Sequence, residues 1–500
     1  MNMFDGLLYG FQNILINQPT SLFYCFVGVF VGTLIGVLPG IGPIGTMSIL
    51  LPFSFGISPV CAVIMLAGIY YGAQYGGSTT SILVNIPGES SSVVTCLDGY
   101  QMARQGRAGP ALGIAAFGSF IGGTISVIIL MFVVRSAASY ALKFGPPEYF
   151  SLMCLGLTIV TYLAKGSALK AIVMAVFGLI LSTVGIDLVS GKPRFSFGSA
   201  TLLDGIGIIP LAMGLFGIAE LLTNIEEGLQ LSLYKSRVKN LLPNLKDWKR
   251  SISPILRGTA VGFPLGLIPG GGAIIASFAS YSVEKMISQH PEEFGKGAIE
   301  GVAGPETANN AGAMGTFVPL MALGIPTTVS MGLLMGALVI HGITPGPAMI
   351  NDHPEIFWGI IVSMYLGNVM LLILNLPLIG IWIQLLKVPY RILVPLIFIF
   401  CIIGAYSLNS NVFDVLIMFV FGIVGYILRK FDYEEAPLML AFILGPMMES
   451  AFRQSLIMSG GRFSIFFTRP IAGVCLAVTM LLFLTTGFSY YRKAKEKMMD

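Results

Sequence analysis

Residues 32–42 read GTLIGVLPGIG and residues 262–272 read GFPLGLIPGGG, so the pattern GxxxGxxPGxG occurs twice in this chain of 500 residues. All five matched positions are separated by the same 230 residues. Glycine is abundant here, with 61 in the chain, but abundance alone does not produce a constant offset at five positions. The pattern predicts two related halves, each carrying one copy of the segment.

A second correspondence follows each copy. Residues 85–88 read NIPG and residues 324–327 read GIPT, and their prolines, Pro87 and Pro326, are 239 positions apart. The second half has therefore gained nine residues between its two motifs. The hydrophilic segment 288–296, SQHPEEFGK, accounts for this gain.

Composition places the chain in a membrane. Hydrophobic residues make up 55% and charged residues 10% of the chain, whereas about a quarter of the residues in a soluble domain are charged. Long runs without any Asp, Glu, Lys or Arg cover 6–88, 108–134, 258–283 and 307–351, among others. Since a spanning helix needs roughly 20 apolar residues, we expect an all-α integral membrane protein of about 12 spans, including broken helices.

The distribution of basic residues predicts the orientation and the domain boundaries. The stretch 223–253 is rich in Lys and Arg, as is the C-terminal tail, so both are expected on the cytoplasmic side. The predicted parts are a first transmembrane repeat over 1–222, a basic linker over 223–253, a second repeat over 254–469, and a last span with its tail over 470–500. We expect the two repeats to be inverted, with the last span bringing the tail back to the cytoplasm.

The two PGxG segments, at 39–42 and 269–272, predict a binding site. Pro39 and Pro269 interrupt helical hydrogen bonding, and such breaks are tolerated at membrane depth only inside protein or beside a wet cavity. Each restarting helix would point its N-terminal N–H groups at that cavity, which suits an anion. The alternative is that PGxG merely allows close helix packing or a surface turn. The predicted substrate-binding residues are Pro39, Gly40, Gly42, Ser78, Thr79, Thr80, Asn85, Pro87, Gly88, Pro269, Gly270, Gly272, Asn309, Asn310, Pro326 and Thr327.

Polar side chains within the apolar runs predict a site for a coupling ion. Glu306 borders the longest charge-free run of the second half, and an ionisable group at membrane depth is a functional candidate; the alternative is a solvated place at the membrane interface. The candidates for the ion are Glu306, Thr307, Thr316 and Ser81. No Lys or Arg lies within the two motifs, so backbone and hydroxyl donors are expected to hold a carboxylate. Asp98, Arg104 and Arg107 are interpreted as interfacial anchors.

Several functions are disfavoured. The six cysteines and three histidines are scattered and lack metal-ligand spacing, so neither a metal site nor a cofactor is expected. Nothing in the sequence suggests nucleic-acid binding. An intramembrane enzyme would need a nucleophile and a base, and no HExxH or GxSxG motif is present. A passive anion channel remains the stronger alternative to a transporter, since broken helices also occur in channels.

The motifs resemble those of the large membrane subunit of the tripartite tricarboxylate transporter family, the TctA-like proteins. The resemblance rests on residues 36–43, 70–88 and 97–108 in the first half and on residues 268–285, 305–311 and 323–326 in the second. It implies a bacterial inner-membrane permease that imports a carboxylate, with a Na⁺ or H⁺ gradient as its energy source. It also implies two protein partners, a periplasmic solute-binding protein and a small membrane subunit of about four spans.

The two halves are not chemically equal. Pro43 of the first half corresponds to Ala273 of the second, and the first half has no equivalent of residues 306–310, ETANN. We therefore expect one half to hold most of the ligands of the coupling ion.

Overall fold

The computed structural model describes residues 2–38, 42–164, 167–187, 189–227, 240–386 and 390–497, and these residues fold almost entirely as helices. The helices before the linker are α1 (Met3–Gln12), α2 (Thr20–Val37), α3 (Gly42–Leu50), α4 (Pro59–Val84), α5 (Val93–Arg104), α6 (Ala108–Ala141), α7 (Pro146–Leu163), α8 (Ala168–Leu181), α9 (Ile208–Ala212) and α10 (Ala219–Glu227).

The helices after the linker are α11 (Leu245–Gly266), α12 (Gly272–Ile287), α13 (Glu300–Gly315), α14 (Phe317–Leu323), α15 (Val329–Ile340), α16 (Met349–Asp352), α17 (Pro354–Asn375), α18 (Ile379–Leu385), α19 (Tyr390–Asn409), α20 (Val412–Lys430), α21 (Glu435–Met458), α22 (Ile465–Thr468) and α23 (Pro470–Lys497). Two short strands, β1 (Gly185–Ile186) and β2 (Pro193–Arg194), pair antiparallel. Single π-helical turns cover Asn13–Asn17 and Met213–Ile218, and 3₁₀ turns cover Pro52–Gly56, Ser90–Ser92, Thr201–Asp204 and Pro291–Glu293.

Seven helical stretches within the described residues are long and apolar enough to cross a membrane. They are Thr20–Val37, Pro59–Val84, Ala108–Ala141, Ile208–Glu226, Pro354–Asn375, Ile392–Asn409 and Val412–Lys430. The helix α20 exposes an apolar face, as expected for contact with lipid, through Val412, Leu416, Val420, Ile423 and Ile427. The predicted helical, multi-pass membrane fold is thus confirmed, whereas the number of about 12 spans, the inversion and the domain boundaries stay predictions.

Glycine packing is the same in both halves. Gly28, Gly32 and Gly36 of α2 face the carbonyl groups of Met65, Ile69 and Ala73 in α4, and a Cβ at each glycine would lie less than 3.0 Å from its carbonyl oxygen. Gly258, Gly262 and Gly266 of α11 face the carbonyl groups of Gly304, Ala308 and Gly312 in α13 in the same way. Corresponding glycines of the two halves are 230 positions apart, as are the two PGxG segments. The residues that they face are 239 positions apart, as are Pro87 and Pro326. This correspondence supports the two-repeat interpretation.

The helix ends at the second motif of each half are also alike. Asn85 closes α4 in the left-handed conformation with φ 62°, and Gly324 closes α14 with φ 69°. These two residues begin the NIPG and GIPT segments. A residue in the left-handed conformation ends a helix, so the two segments begin at equivalent helix ends.

The end of the nine-residue gain of the second half, together with the residues around it, binds the first half. Asp98 is fully buried, and its Oδ1 accepts hydrogen bonds from the backbone N–H groups of Gly295, Gly297 and Ala298 at 2.8–2.9 Å. Its Oδ2 accepts from the Tyr281 hydroxyl at 2.9 Å. The predicted anchor residue is thus an internal link between α5 and the loop before α13.

Replacement of Gly36 or Gly266 by Val should destabilise the protein by about 1–3 kcal/mol or more, because the new side chain overlaps the backbone of the facing helix. Thermal unfolding of the purified protein in detergent measures the effect. The matched control is Gly336→Ala in α15, where an added Cβ meets nothing within 4 Å. Equal melting temperatures for all three variants would show that the close approach is not required.

Asp98→Ala should also lower the melting temperature, because it leaves three N–H groups without their acceptor, each at a cost of about 1–3 kcal/mol. Asp98→Asn should lose less, since one oxygen can still accept. Asp204→Ala, at an exposed position, serves as the control. A D98A variant as stable as the wild type would contradict the role of this link.

Candidate functional site

A main cavity of about 580 Å³ lies where the two halves meet. Its wall includes Gly42–Ile44 at the start of α3 and Gly270–Ile275 at the start of α12. Gly42, Gly270 and Gly272 have φ values of 63°, 74° and 49°, which L side chains rarely adopt, so glycine is needed for the chain to restart as a helix here. The first N–H groups of a helix have no intrahelical acceptor and carry its positive dipole end. Two such helix starts therefore share one cavity.

The segments after α4 and α14 form the adjoining wall. Residues 87–90 and 327–330 line the cavity, and Gly270 donates its N–H to the carbonyl of Thr327 at 3.0 Å. A Cβ at Gly88 would lie less than 3.0 Å from the carbonyl oxygen of Gly36, so the chain can pass α2 there only with a glycine. The Thr327 hydroxyl is buried and has no hydrogen-bond partner among the described residues. It is available to a molecule in the cavity.

The charges of the main cavity are mostly negative. Glu89, Glu220, Glu434 and Glu435 line it, and Arg429 is the one basic side chain among the described residues of its wall. Arg429 forms ion pairs with both Glu220 and Glu435. Its guanidinium is thus shared between two carboxylates at the edge of the cavity.

Glu306 lies outside the cavity wall and is fully buried. Its carboxylate accepts hydrogen bonds from the hydroxyl groups of Ser78, at 2.5 Å, and Thr95. No Lys, Arg or His forms an ion pair with it in the described parts of the chain. The buried position excludes the solvated interfacial alternative, and hydroxyl groups of the first half surround an acid of the second.

Asn309 lies one helical turn after Glu306 in α13, and its side chain interacts both with Glu306 and with groups at the main cavity. Its amide nitrogen donates to Glu89 at 3.2 Å, and the Ser91 hydroxyl donates to its oxygen at 2.7 Å. When the Gln74 side-chain amide is oriented with its nitrogen toward Glu89, this nitrogen lies 3.3 Å from the Glu89 carboxylate and 2.7 Å from the Asn309 side-chain oxygen. Two carboxylates, one in the cavity wall and one behind it, are therefore joined by a polar network from both halves.

A second, smaller cavity lies next to Glu306, since the Ser78 that lines it donates a hydrogen bond to this acid. It has a volume of about 10 Å³. We call it the Ser78 cavity, because Ser78 links it to Glu306 in this way. Its lining residues, all buried, are Tyr75, Ser78, Thr79, Leu112, Ala115, Ala116, Ser119 and Asn375.

The predicted substrate residues separate into three groups. Gly42, Pro87, Gly88, Gly270, Gly272 and Thr327 line the main cavity. Ser78 and Thr79 line the Ser78 cavity. Neither of these two cavities is lined by Thr80, Asn85, Pro269, Asn309, Asn310 or Pro326. The remaining two residues, Pro39 and Gly40, lie outside the described residues.

Several of these residues have structural contacts instead. The Thr80 hydroxyl donates to the carbonyl of Val37, the last residue of α2, at 2.6 Å. The Asn310 amide donates to Ser119 at 2.7 Å and to the Glu306 carbonyl at 3.1 Å. Of the ion candidates, Thr307 and Thr316 donate to carbonyl groups of their own helical segment, and Ser81 lies 2.9 Å from Ser92. Glu306 alone among the candidates is an ionisable group without a charged partner in the described chain.

Sequence reasoning missed Arg429 and Glu89. Glu89 directly follows the NIPG motif, so its place next to a motif residue in the main cavity could have marked it. Arg429 lies at the end of α20, far from either motif, and only the packing of α20 against residues 213–218 brings it to the cavity. No sequence signal of this chain identifies it.

Glu306→Gln should strongly impair the function of this network while the fold is kept, because glutamine has the same size but carries no charge. We expect transport activity to fall at least about tenfold, with a melting temperature near that of the wild type. The control is Glu292→Gln, at a surface position where the side chain is 65% exposed. Full activity of E306Q in an uptake assay would remove Glu306 from the mechanism.

The chain is similar to one protein family and to two known proteins. The model of the tripartite tricarboxylate transporter TctA family matches residues 22–440. The chain is 52% identical over 497 residues to an uncharacterised 52.8 kDa protein of the TAR-I ttuC′ 3′ region of Agrobacterium vitis, covering 99% of each chain. It is 54% identical over 220 residues to an uncharacterised protein of the TAR-II ttuC′ 3′ region of the same organism, which is 44% of this chain and 91% of the relative. No solved structure matches. The chain, a helical multi-pass membrane protein, belongs to the tripartite tricarboxylate transporter TctA family.

Proposed function

We propose that this protein is the large permease subunit of a binding-protein-dependent secondary transporter in the bacterial inner membrane. It imports a carboxylate, a tricarboxylate or related organic acid, by alternating access, with a Na⁺ or H⁺ gradient as its energy source. Its partners are a periplasmic solute-binding protein and a small membrane subunit of about four spans. The observation that carries the proposal is the main cavity, whose wall contains both helix starts and both paired segments.

Recognition of the anion follows from the donors that line this cavity. The N–H groups at the starts of α3 and α12 are anion-binding groups, and the Thr327 hydroxyl adds a donor. Arg429 adds positive charge to the wall, and a substrate carboxylate would exchange with Glu220 or Glu435 for its guanidinium. A volume of about 580 Å³ is within the range of pockets for small organic ligands.

The negative charge of the cavity supports coupling to a cation. An incoming carboxylate meets Glu89 and the Glu220–Arg429–Glu435 cluster, in which two acids surround one arginine. Like charges at low dielectric repel strongly, so the anion enters favourably only together with protons or metal cations. Glu306, buried and without a charged partner in the described chain, is the group where such a cation would act.

Reconstitution in proteoliposomes tests the proposal. The chain and its small partner subunit are assayed with the binding protein and a labelled carboxylate, which a thermal-shift screen of the binding protein selects. We expect saturable uptake with counterflow that requires both the binding protein and an inward ion gradient. Uptake that persists without both would overturn the proposal, and uptake without saturation or counterflow would favour a passive channel.

Arg429→Gln should raise the half-saturating carboxylate concentration at least about tenfold, because it removes the charged donor and leaves two acids unpaired. Arg453→Gln is the matched control, since Arg453 also pairs with two acids, Asp187 and Glu449, but does not line the main cavity. Uptake is measured over a range of substrate concentrations. Equal half-saturation for the two variants would show that Arg429 does not contact the substrate.

A further inference from the structure

The Ser78 cavity contains oxygen atoms that no protein group satisfies. The Asn375 side-chain oxygen is buried and has no hydrogen-bond partner within the described chain, although the amide nitrogen of the same residue donates to Leu371. Thr79 also lines the cavity and is 2% exposed, and its hydroxyl group forms no hydrogen bond with a described residue. A buried polar atom without a partner costs free energy. These oxygens therefore favour a ligand that supplies positive charge or protons.

The other two polar residues of the lining are prepared as acceptors. Ser78 gives its hydroxyl proton to Glu306 at 2.5 Å, so its lone pairs remain for another partner. Ser119 accepts from the Asn310 amide at 2.7 Å and keeps one lone pair. Hydroxyl and amide oxygens are the ligands that hard cations prefer. A volume of about 10 Å³ admits one sphere of the size of a water molecule or less.

Charge balance favours a cation over water in this cavity. Glu306 is fully buried and Glu89 is half-buried in the wall of the main cavity, and neither forms an ion pair with a basic side chain in the described ranges. Buried carboxylates without a counter-charge are strongly unfavourable. A cation in the Ser78 cavity would lie one hydroxyl group away from Glu306 and would stabilise its charged form.

We infer that the Ser78 cavity binds a single Na⁺ ion, with the oxygen atoms of Ser78, Thr79, Ser119 and Asn375 as ligands and Glu306 as the charge behind them. This inference rests on the proposed function and identifies its coupling ion. Ligands come from α4, α6 and α17, so the ion joins helices of both halves. The polar network of Glu306, Asn309 and Glu89 links the ion to the wall of the main cavity. The positive charge of the ion offsets the repulsion between these carboxylates and an entering carboxylate substrate.

Binding of ²²Na⁺ to the purified chain with its small partner subunit tests the inference directly. The variant Thr79→Val removes one free hydroxyl without a change in shape, and Asn375→Leu removes the free amide oxygen. We expect each to raise the half-saturating Na⁺ concentration at least about tenfold, or about 1.4 kcal/mol. Thr158→Val is the matched control, because Thr158 is buried but donates to its own helix, away from the cavity, and should bind Na⁺ within about twofold of the wild type.

The possible outcomes separate this inference from the proposed function. Saturable Na⁺ binding that both T79V and N375L weaken supports the Ser78 cavity as the site. If either variant fails to fold, the other decides. The inference is overturned if the folded variants bind Na⁺ with wild-type affinity. It is also overturned if the protein shows no saturable Na⁺ binding while uptake follows a proton gradient. In both cases the cavity holds water only, and the proposed function stays intact. Uptake that needs no gradient at all overturns the proposed function itself.

Discussion

The hydrogen-bonding groups freed where α2 and α11 end must find partners inside the protein, and the rest of the site depends on how they do so. The Thr80 hydroxyl donates to the carbonyl of Val37, and the Thr327 carbonyl accepts from Gly270. The first contact holds the end of α2 against the facing helix α4, and the second holds the chain before α12 against the segment that follows α14. Once both breaks are held in this way, the restarting helices α3 and α12 can present their first N–H groups to a common cavity.

Close helix packing makes these contacts possible. Glycines at 28, 32 and 36 and at 258, 262 and 266 let α2 and α11 approach the backbones of α4 and α13. The packing alternative for the glycine-rich segments is therefore partly right, since the GxxxG portion packs helices. The PGxG portion has a different role, because Gly42, Gly270 and Gly272 line the main cavity in conformations that side chains rarely adopt. One continuous pattern thus combines two physical functions.

Much of this arrangement could be predicted from the sequence, because it arises from local rules applied twice. The constant offset identified the segments that line the cavity, and the offset of 239 holds for the residues that face the glycines. The chemical difference between the halves was also predictable. At the offset of 239 positions, Glu89 of the first half corresponds to Thr328 of the second, and Tyr70 corresponds to Asn309. Arg429 and Asn375 could not be predicted, since each reaches its cavity through packing of a helix that carries no motif. The burial of Asp98 likewise depends on a loop almost 200 positions away.

The most direct test of this account is a structure of the complete transporter, with its small subunit, determined by electron cryo-microscopy in the presence of a carboxylate that the binding protein delivers. The account predicts density for the carboxylate in the main cavity, between Gly42–Ile44 and Gly272–Ile274 and within reach of Thr327 and Arg429. Density for the carboxylate at any other place, with the two helix starts turned away from it, would contradict the claim that the paired breaks form the substrate site.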